Sequence, residues 1–459
     1  MPNPNEPAHA AEASPAAWAG RRLHFVGIGG AGMSGIALVA QALGAEVTGS
    51  DRAESAYVAR LREAGIEPTI GHDARNLPDG DDVELVYSTA VGPDNPERAL
   101  ARERGLAELH RADVLAELTA LRPTIAITGT HGKTTTAAMA VHALRGAGAD
   151  PGYLVGGEVR CTGSNAGWGA GEWLVVEADE SDRSMLKLQP AVALVTNVEL
   201  DHHATYASRL DLEDAFGRFL ALAPRRIVWD RPQLVELAVD AGDAEVVTFD
   251  APDPQLRPGG VHFGWRGHDV ALDIPGAHNA RNAAAALEVC RAAGADLERA
   301  VAALAGFRGA GRRFERLGAT ATGAAVYDDY AHHPTEVAAT IVAARTLEPR
   351  RLVAVFQPHL YSRTRGLYRE FGAALARADV VVVLDVYPAR ERAEDYPGVS
   401  GHLIAAAAAD AAAGRPVYWL PDFATAEPVL RDLLGEGDLC LVMGAGDVDA
   451  LGRRMVAGG

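Results

Sequence analysis

Residues 124–147 read TIAITGTHGKTTTAAMAVHALRGA: five residues of strand character, a turn with glycines at 129 and 132, then an alanine-bearing helical run. Strand, glycine turn and helix in that order point to an α/β architecture, in which strands alternate with helices around a mostly parallel sheet. The turn also has chemistry. Backbone N–H groups and the positive end of the helix face one point, Lys133 adds a mobile cation, and a threonine hydroxyl offers a ligand to Mg2+. The pattern G-x-x-x-x-G-K-[ST] would place its first glycine at position 127, where Ile127 stands. Gly129 therefore makes a shorter loop, with glycine still at both places where the backbone turns.

A second glycine loop precedes it. GIGGAGMSG satisfies G-x-G-x-x-G through Gly27, Gly29 and Gly32, and Asp51 closes the following strand. This is the pattern of a diphosphate held at a helix N-terminus, and by itself it supports an NAD-dependent dehydrogenase as an alternative. Two such loops imply two phosphorylated ligands. Acidic residues then cluster at two strand ends: Glu177, Asp179, Glu180 and Asp182 in EADESD, and Glu199 and Asp201 with His202 and His203 in NVELDHH. A hard cation bridging phosphates takes its oxygen ligands from such places. A histidine ligand among them extends the expected tolerance to Mn2+.

Beyond these, AAVYDDY, RRLVAVFQP, DVVVVLDVY, PVYWLP and DLCLVMGAG alternate with helical runs and predict a doubly wound, mostly parallel sheet. At roughly 150 residues per domain, the 459-residue chain holds about three. The expected division is a disordered tail over 1–20, a Rossmann-like N-terminal domain over 21–120, a central P-loop ATPase α/β domain over 121–314 and a C-terminal doubly wound α/β domain over 315–459. Linkers near 120 and 315 would let the last domain close over the central one. The net charge of −18 disfavours nucleic acid and anionic membranes as partners. No apolar run approaches the ~20 residues of a bilayer span. Cys161, Cys290 and Cys440 lack paired spacing, and the first twenty residues lack the basic start and apolar core of a signal peptide, so a cytoplasmic location is expected.

Taken in order, GIGGAGMSGIA with GSD, GTHGKTTT, EADESD, TNVELDH, GAHNARN, GRRFE, YDDYAHHP, FQPHLYSRTR and LDVYPARE resemble the Mur ligase family across residues 21–459. The resemblance implies an enzyme of peptidoglycan precursor synthesis that uses ATP and Mg2+ to join UDP-N-acetylmuramate to L-alanine. A recycling branch that adds a whole tripeptide to the same sugar is the alternative, and a silent nucleotide-binding scaffold a third reading. By the resemblance, Gly27, Gly29, Gly30, Gly32, Ser50 and Asp51 hold the UDP-sugar. Gly129, Thr130, His131, Gly132, Lys133, Thr134 and Thr135 hold the ATP phosphates, with Arg313 also on the phosphates, Asn282 on adenine and Asp329 on the ribose or the nucleotide's edge. Lys133, Glu177, His202 and Arg313 are the implied catalytic residues, and Thr134, Glu177 and His202 the implied metal ligands. Tyr330, His332, His359 and Arg363 are the implied amino-acid pocket, with Arg363 gripping the carboxylate bidentately. The chain departs from the family pattern at Leu360, where many relatives carry Arg, and at His203-Ala204, where Met-Asp is frequent. The acidic segment offers no lysine before Lys187, so no carbamoylated lysine is expected.

Overall fold

The computed structural model describes residues 14–201 and 205–457, so the expectations for residues 1–13 and for His202, His203 and Ala204 lie outside the described residues. The chain divides into two compact units. One is drawn from Met1–Gly129, Gly148–Val195 and Asp214–Thr248, the other from Thr130–Ala147, Thr196–Glu213 and Phe249–Gly459.

The first unit opens with a five-stranded sheet in the order Thr69–Ile70, Glu46–Asp51, Arg22–Val26, Val83–Tyr87, Ala107–His110, parallel throughout. Successive strands run to one side of Arg22–Val26 and then to the other. This places the glycine loop and the helix Ala31–Ala42 at the switch point, where α/β sheets bind ligands. Val26, Val83 and Leu85 pack with Leu77, Ala101 and Leu106 on one face. Within the span 1–20 expected as a tail, Pro15–Trp18 is a short 3-10 helix and Trp18 is 3% exposed. An indole beneath the Arg21 guanidinium, 4.8 Å from its ring centre, is anchored by burial and cation–π attraction.

The second sheet runs Glu245–Phe249, Arg225–Trp229, Val192–Val195, Thr124–Thr128, Leu174–Glu177, Gly152–Val159, Ser164–Gly167. Thr124–Thr128 is fully buried and pairs in parallel with both neighbours, which explains its unbroken apolar reading. The antiparallel hairpin Gly152–Val159/Ser164–Gly167 packs against the glycine-loop helix. There Asn165 Nδ2 donates to the Ala31 carbonyl at 2.7 Å, and a Cβ on Gly35 would lie 3.2 Å from that of Ala166.

In the second unit, Lys133–Gly146 packs on Ala277–Ala292 and Leu297–Leu304. The helices approach so closely that a Cβ on Gly146 would stand 2.2 Å from Ala303 Cβ. A three-stranded meander, Gln255–Arg257, Gly260–Trp265 and His268–Leu272, follows the connection from the other unit. The last sheet runs Glu315–Ala319, Ala325–Asp329, Leu439–Met443, Leu352–Phe356, Val380–Val383, Val417–Trp419. Its five predicted strands are parallel, and Glu315–Ala319 adds an antiparallel edge. Alternate residues serve opposite faces. Leu352, Ala354, Phe356, Leu439, Leu441 and Met443 join one core, whereas Val353, Val355, Cys440 and Val442 join the other.

Candidate active site

Thr124–Thr128 delivers the chain into the short loop, where Gly129 (φ 133°) and Gly132 (φ 83°) take backbone angles that L side chains rarely adopt. A Cβ on Gly132 would also meet Asn282 Oδ1 at 2.6 Å. Thr130 Oγ1 donates to the Glu199 carbonyl at 3.0 Å and accepts from the Glu199 N–H at 2.8 Å, while the His131 N–H donates to Asn197 Oδ1 at 2.9 Å. The loop is thus held in shape by the segment Asn197–Glu199. Lys133 begins the helix with Gly132 as its cap, no side chain caps that end, and Lys133 Nζ donates to the Thr130 carbonyl at 3.2 Å. Arg313 Nη2 reaches Thr134 Oγ1 at 3.4 Å. A glycine cradle that a Cβ would fill, a helix end left to backbone donors, and Lys133 with Arg313 beside it form a donor set that fits a polyphosphate.

His131 sits between two carboxylates, Nε2 3.4 Å from Glu199 Oε2 and Nδ1 3.3 Å from Glu336 Oε1, with its ring on that of His333 at 4.6 Å. Burial lowers its pKa, but Glu336 and Glu199 outweigh burial and raise it to about 9. His131, Glu199 and His333 bring one ligand atom each within 4.8 Å of one another. Glu336 also accepts the His332 N–H at 3.0 Å and lies 3.9 Å from Arg313.

The residues expected to line an amino-acid pocket are brought together, and one of them is engaged within the protein. His332 and His359 stand 6.0 Å apart edge to face, Tyr330 lies 5.4 Å from His332, and the Arg312 and Arg313 guanidiniums each stand 5.1 Å from the Tyr330 ring centre. Arg363, 3% exposed, donates through Nε and Nη2 to Asp201 at 3.0–3.1 Å and through Nη1 to His359 Nδ1 at 3.2 Å. The bidentate grip expected on an amino-acid carboxylate is made internally, because a guanidinium buried this deeply requires a counter-ion. Two further expected residues have partners within the protein. Asn282 packs on Gly132 in the short loop. Asp329 accepts the Phe314 and Ala331 N–H groups at 2.7 and 2.8 Å, and burial pushes its pKa up to about 6, so its carboxylate organises the turn before it could serve a ribose.

In the first unit, Gly27 (φ 81°) and Ile28 both donate to the Ser50 carbonyl, at 2.8 and 3.0 Å, and the Gly29 N–H donates to Asp51 Oδ2 at 2.8 Å. Gly30 caps the helix and Gly32 lies in its first turn. Ser50 shapes the loop through its carbonyl. Its hydroxyl is fully buried and donates to Glu97 at 2.7–2.8 Å, which also pairs with His24 at 2.8 Å. Glu177 closes its strand and accepts the Gly156 N–H at 2.6 Å.

Three family models cover most of the chain: the Mur ligase catalytic domain over 22–122, the Mur ligase middle domain over 127–290 and the Mur ligase glutamate ligase domain over 312–446. The chain belongs to the Mur ligase family. A UDP-N-acetylmuramate–L-alanine ligase of Rubrobacter xylanophilus is 44% identical over 450 residues, 95% of this chain and 99% of that one. The crystal structure of the Thermotoga maritima UDP-N-acetylmuramate–alanine ligase is 30% identical and superposes with a TM-score of 0.80 over 95% of this chain and 98% of that one. A murein peptide ligase of Psychrobacter arcticus, 24% identical with a TM-score of 0.73 over 96% and 98%, shares the fold. This Mur ligase is a three-domain α/β protein. No described helix is long and apolar enough to cross a membrane.

Sequence reasoning assigned no role to Glu336, His333 or Asn197, and noted Glu199 and Asp201 only as part of an acidic cluster. A signal existed for one pair: His333-Pro334-Thr335-Glu336 spells a helix start whose fourth residue reaches back to the cap, and the structure forms that box. Asp201 pairs with Arg363 across 162 residues of chain, a relation that no local pattern encodes.

Proposed function

We propose that this Mur ligase forms the amide between the lactyl carboxylate of UDP-N-acetylmuramate and L-alanine, at the expense of ATP. The observation that carries this reading is the glycine-capped loop with Lys133 Nζ at its mouth and Arg313 Nη2 3.4 Å from Thr134 Oγ1. A carboxylate resists an amine because its carbon is electron-rich and oxide is a poor leaving group. A carboxylate oxygen attacks the γ-phosphorus, the bond to ADP breaks, and the acyl phosphate so formed has a good leaving group. The neutral amine then adds to the acyl carbon, loses a proton, and expels phosphate. Lys133 and Arg313 neutralise charge on the transferring group, and the loop amides hold it in line. Thr134, Glu177 and His202 are the proposed metal ligands, of which His202 lies outside the described residues. Mg2+, or Mn2+, supplies a further positive charge there. Tyr330, His332 and His359 are proposed to line the alanine pocket, with Arg363 holding His359 in place. Domain boundaries near residues 120 and 315, and a cytoplasmic location, belong to the same proposal.

Phosphate release tests the assignment. The protein with ATP, Mg2+ and UDP-N-acetylmuramate is expected to release phosphate on addition of L-alanine. Release with tripeptide alone would favour the recycling reaction, and none with any acceptor would defeat the ligase reading. That curated relatives 42–44% identical over 95% of this chain are named UDP-N-acetylmuramate–L-alanine ligases favours the first outcome.

A further inference from the structure

Arg111 opens the helix Arg111–Thr119 and has no role in the site described so far. Its Nη2 donates to Asp179 Oδ2 at 2.8 Å and to Asp182 Oδ2 at 2.7 Å, both in the acidic segment that begins at Glu177. Asp182 is itself pinned, accepting from Thr89 Oγ1 at 2.8 Å and from the Ser184 N–H at 3.0 Å. Two carboxylates therefore fix one edge of the guanidinium. The other edge is different. Nη1 lies 3.4 Å from the place a Cβ on Gly32 would occupy, and neither Nη1 nor Nε makes a hydrogen bond among the described residues. Gly27 is walled in the same way by the segment after Val83–Tyr87, with Ser88 Oγ 3.6 Å and Val91 Cγ2 3.2 Å from its own Cβ position. A mostly buried guanidinium, its side chain 17% exposed, with two donors left to solvent beside the glycine turn, is arranged for an anion.

We propose that Arg111 is a ligand of the UDP-sugar's diphosphate, its Nη1 and Nε donors serving oxygens held at the glycine loop, with Asp179 and Asp182 as positioning residues. The proposal rests on the glycine loop being the UDP-sugar site. It gives Gly32 a reason beyond helix geometry, because any side chain there would fill the gap between the loop and the guanidinium. It also means that one guanidinium joins the sugar's diphosphate to the strand end that carries Glu177.

Calorimetric titration of the full chain tests this with two ligands, UDP-N-acetylmuramate and UDP-N-acetylglucosamine, which share the diphosphate but not the lactyl carboxylate. Arg111→Gln is expected to weaken both by a similar factor, about 10- to 100-fold, while the KM for ATP moves by less than about threefold. Arg111→Lys keeps the charge and both aspartate partners but loses the fork, and its loss should be intermediate. It also carries the test if the glutamine variant fails to fold. Unchanged affinity for both sugars with a lowered Tm would make Arg111 a strut only and overturn the proposal. Loss confined to UDP-N-acetylmuramate would assign Arg111 to the lactyl carboxylate and overturn it too. A wild-type chain that binds neither sugar would remove the reading of the loop itself, whereas wild-type binding with an unaffected variant removes only the role of Arg111.

Discussion

His131 is charged where the histidines around it are neutral. Burial pushes His332 down to about 3 and His333 to about 4, while the two carboxylates hold His131 up at about 9. A histidine whose folded pKa lies above its ordinary 6.5 stabilises the fold fully below pH 6.5 and loses that contribution as pH rises through about 9. The depressed pair act in the opposite sense, costing stability as pH falls from 6.5 towards about 4 and about 3. Comparing wild type with His131→Gln isolates the first effect. The wild type is expected to be the more stable by on the order of 2 kcal/mol at pH 6, with the difference shrinking to near zero by about pH 10. Thermal unfolding of both proteins across that range measures it, and a gap independent of pH would show that the contribution is packing. The Arg363–Asp201 pair makes a different prediction, because both side chains are 5% exposed or less. Asp201→Asn leaves a buried guanidinium without its counter-ion and should cost roughly 3–5 kcal/mol, read as a lowered denaturation midpoint. A loss below about 1 kcal/mol would mean that water reaches Arg363.

The helix Pro334–Arg345 shows how an element places a site. His333 caps it, Pro334 takes the first position, where its missing N–H costs nothing, and Glu336 reaches back to the His332 and His333 N–H groups. The same carboxylate faces His131 and Arg313, so a residue that starts a helix also sets the charge beside the phosphate loop. Glu336→Ala should lower stability by about 1–2 kcal/mol through the lost cap. It should also bring the His131 pKa down towards its ordinary value, which NMR titration of the ring reads directly; an unchanged His131 pKa would leave Glu199 as its sole determinant. The start of this helix was legible in HHPTE, and the two-faced strands were legible in LVAVF, VVVV and LCLVM, since each element satisfies its own local pattern. The first strand of the meander was not. All of Gln255–Arg257 is exposed, so the strand has no buried face to betray it, and Glu315–Ala319 is likewise a partly exposed edge. The motifs located the two glycine turns, but what Ser50, Asp329 and Arg363 touch depends on Glu97, Phe314 and Asp201, partners set by tertiary packing.

At the scale of the whole chain, the glycine loop Gly27–Gly32 and the helix that Lys133 begins lie in different compact units. Gly27–Gly32 belongs to the first, and Lys133 begins a helix of the second, held by Asn197–Glu199 and by the helix Ala277–Ala292. Ligand binding stabilises only what it contacts, by RT ln(1 + [L]/Kd), about 2.7 kcal/mol when the ligand is present at 100 times its Kd. Each ligand should therefore produce its own thermal shift in the wild type. Lys133→Ala deletes a side chain whose Nζ reaches the loop carbonyl of Thr130, and it leaves Ser50, Asp51 and Arg111 untouched. In that variant the shift on adding ATP with Mg2+ should collapse and phosphate release should fall by about 100-fold or more, in keeping with the loss of a preorganised charge from a phosphoryl-transfer site. The shift on adding UDP-N-acetylmuramate should remain within about 1 kcal/mol of the wild-type value. If both shifts vanish while circular dichroism reports an intact fold, the two ligands do not occupy independent loops, and binding of one must build the site for the other.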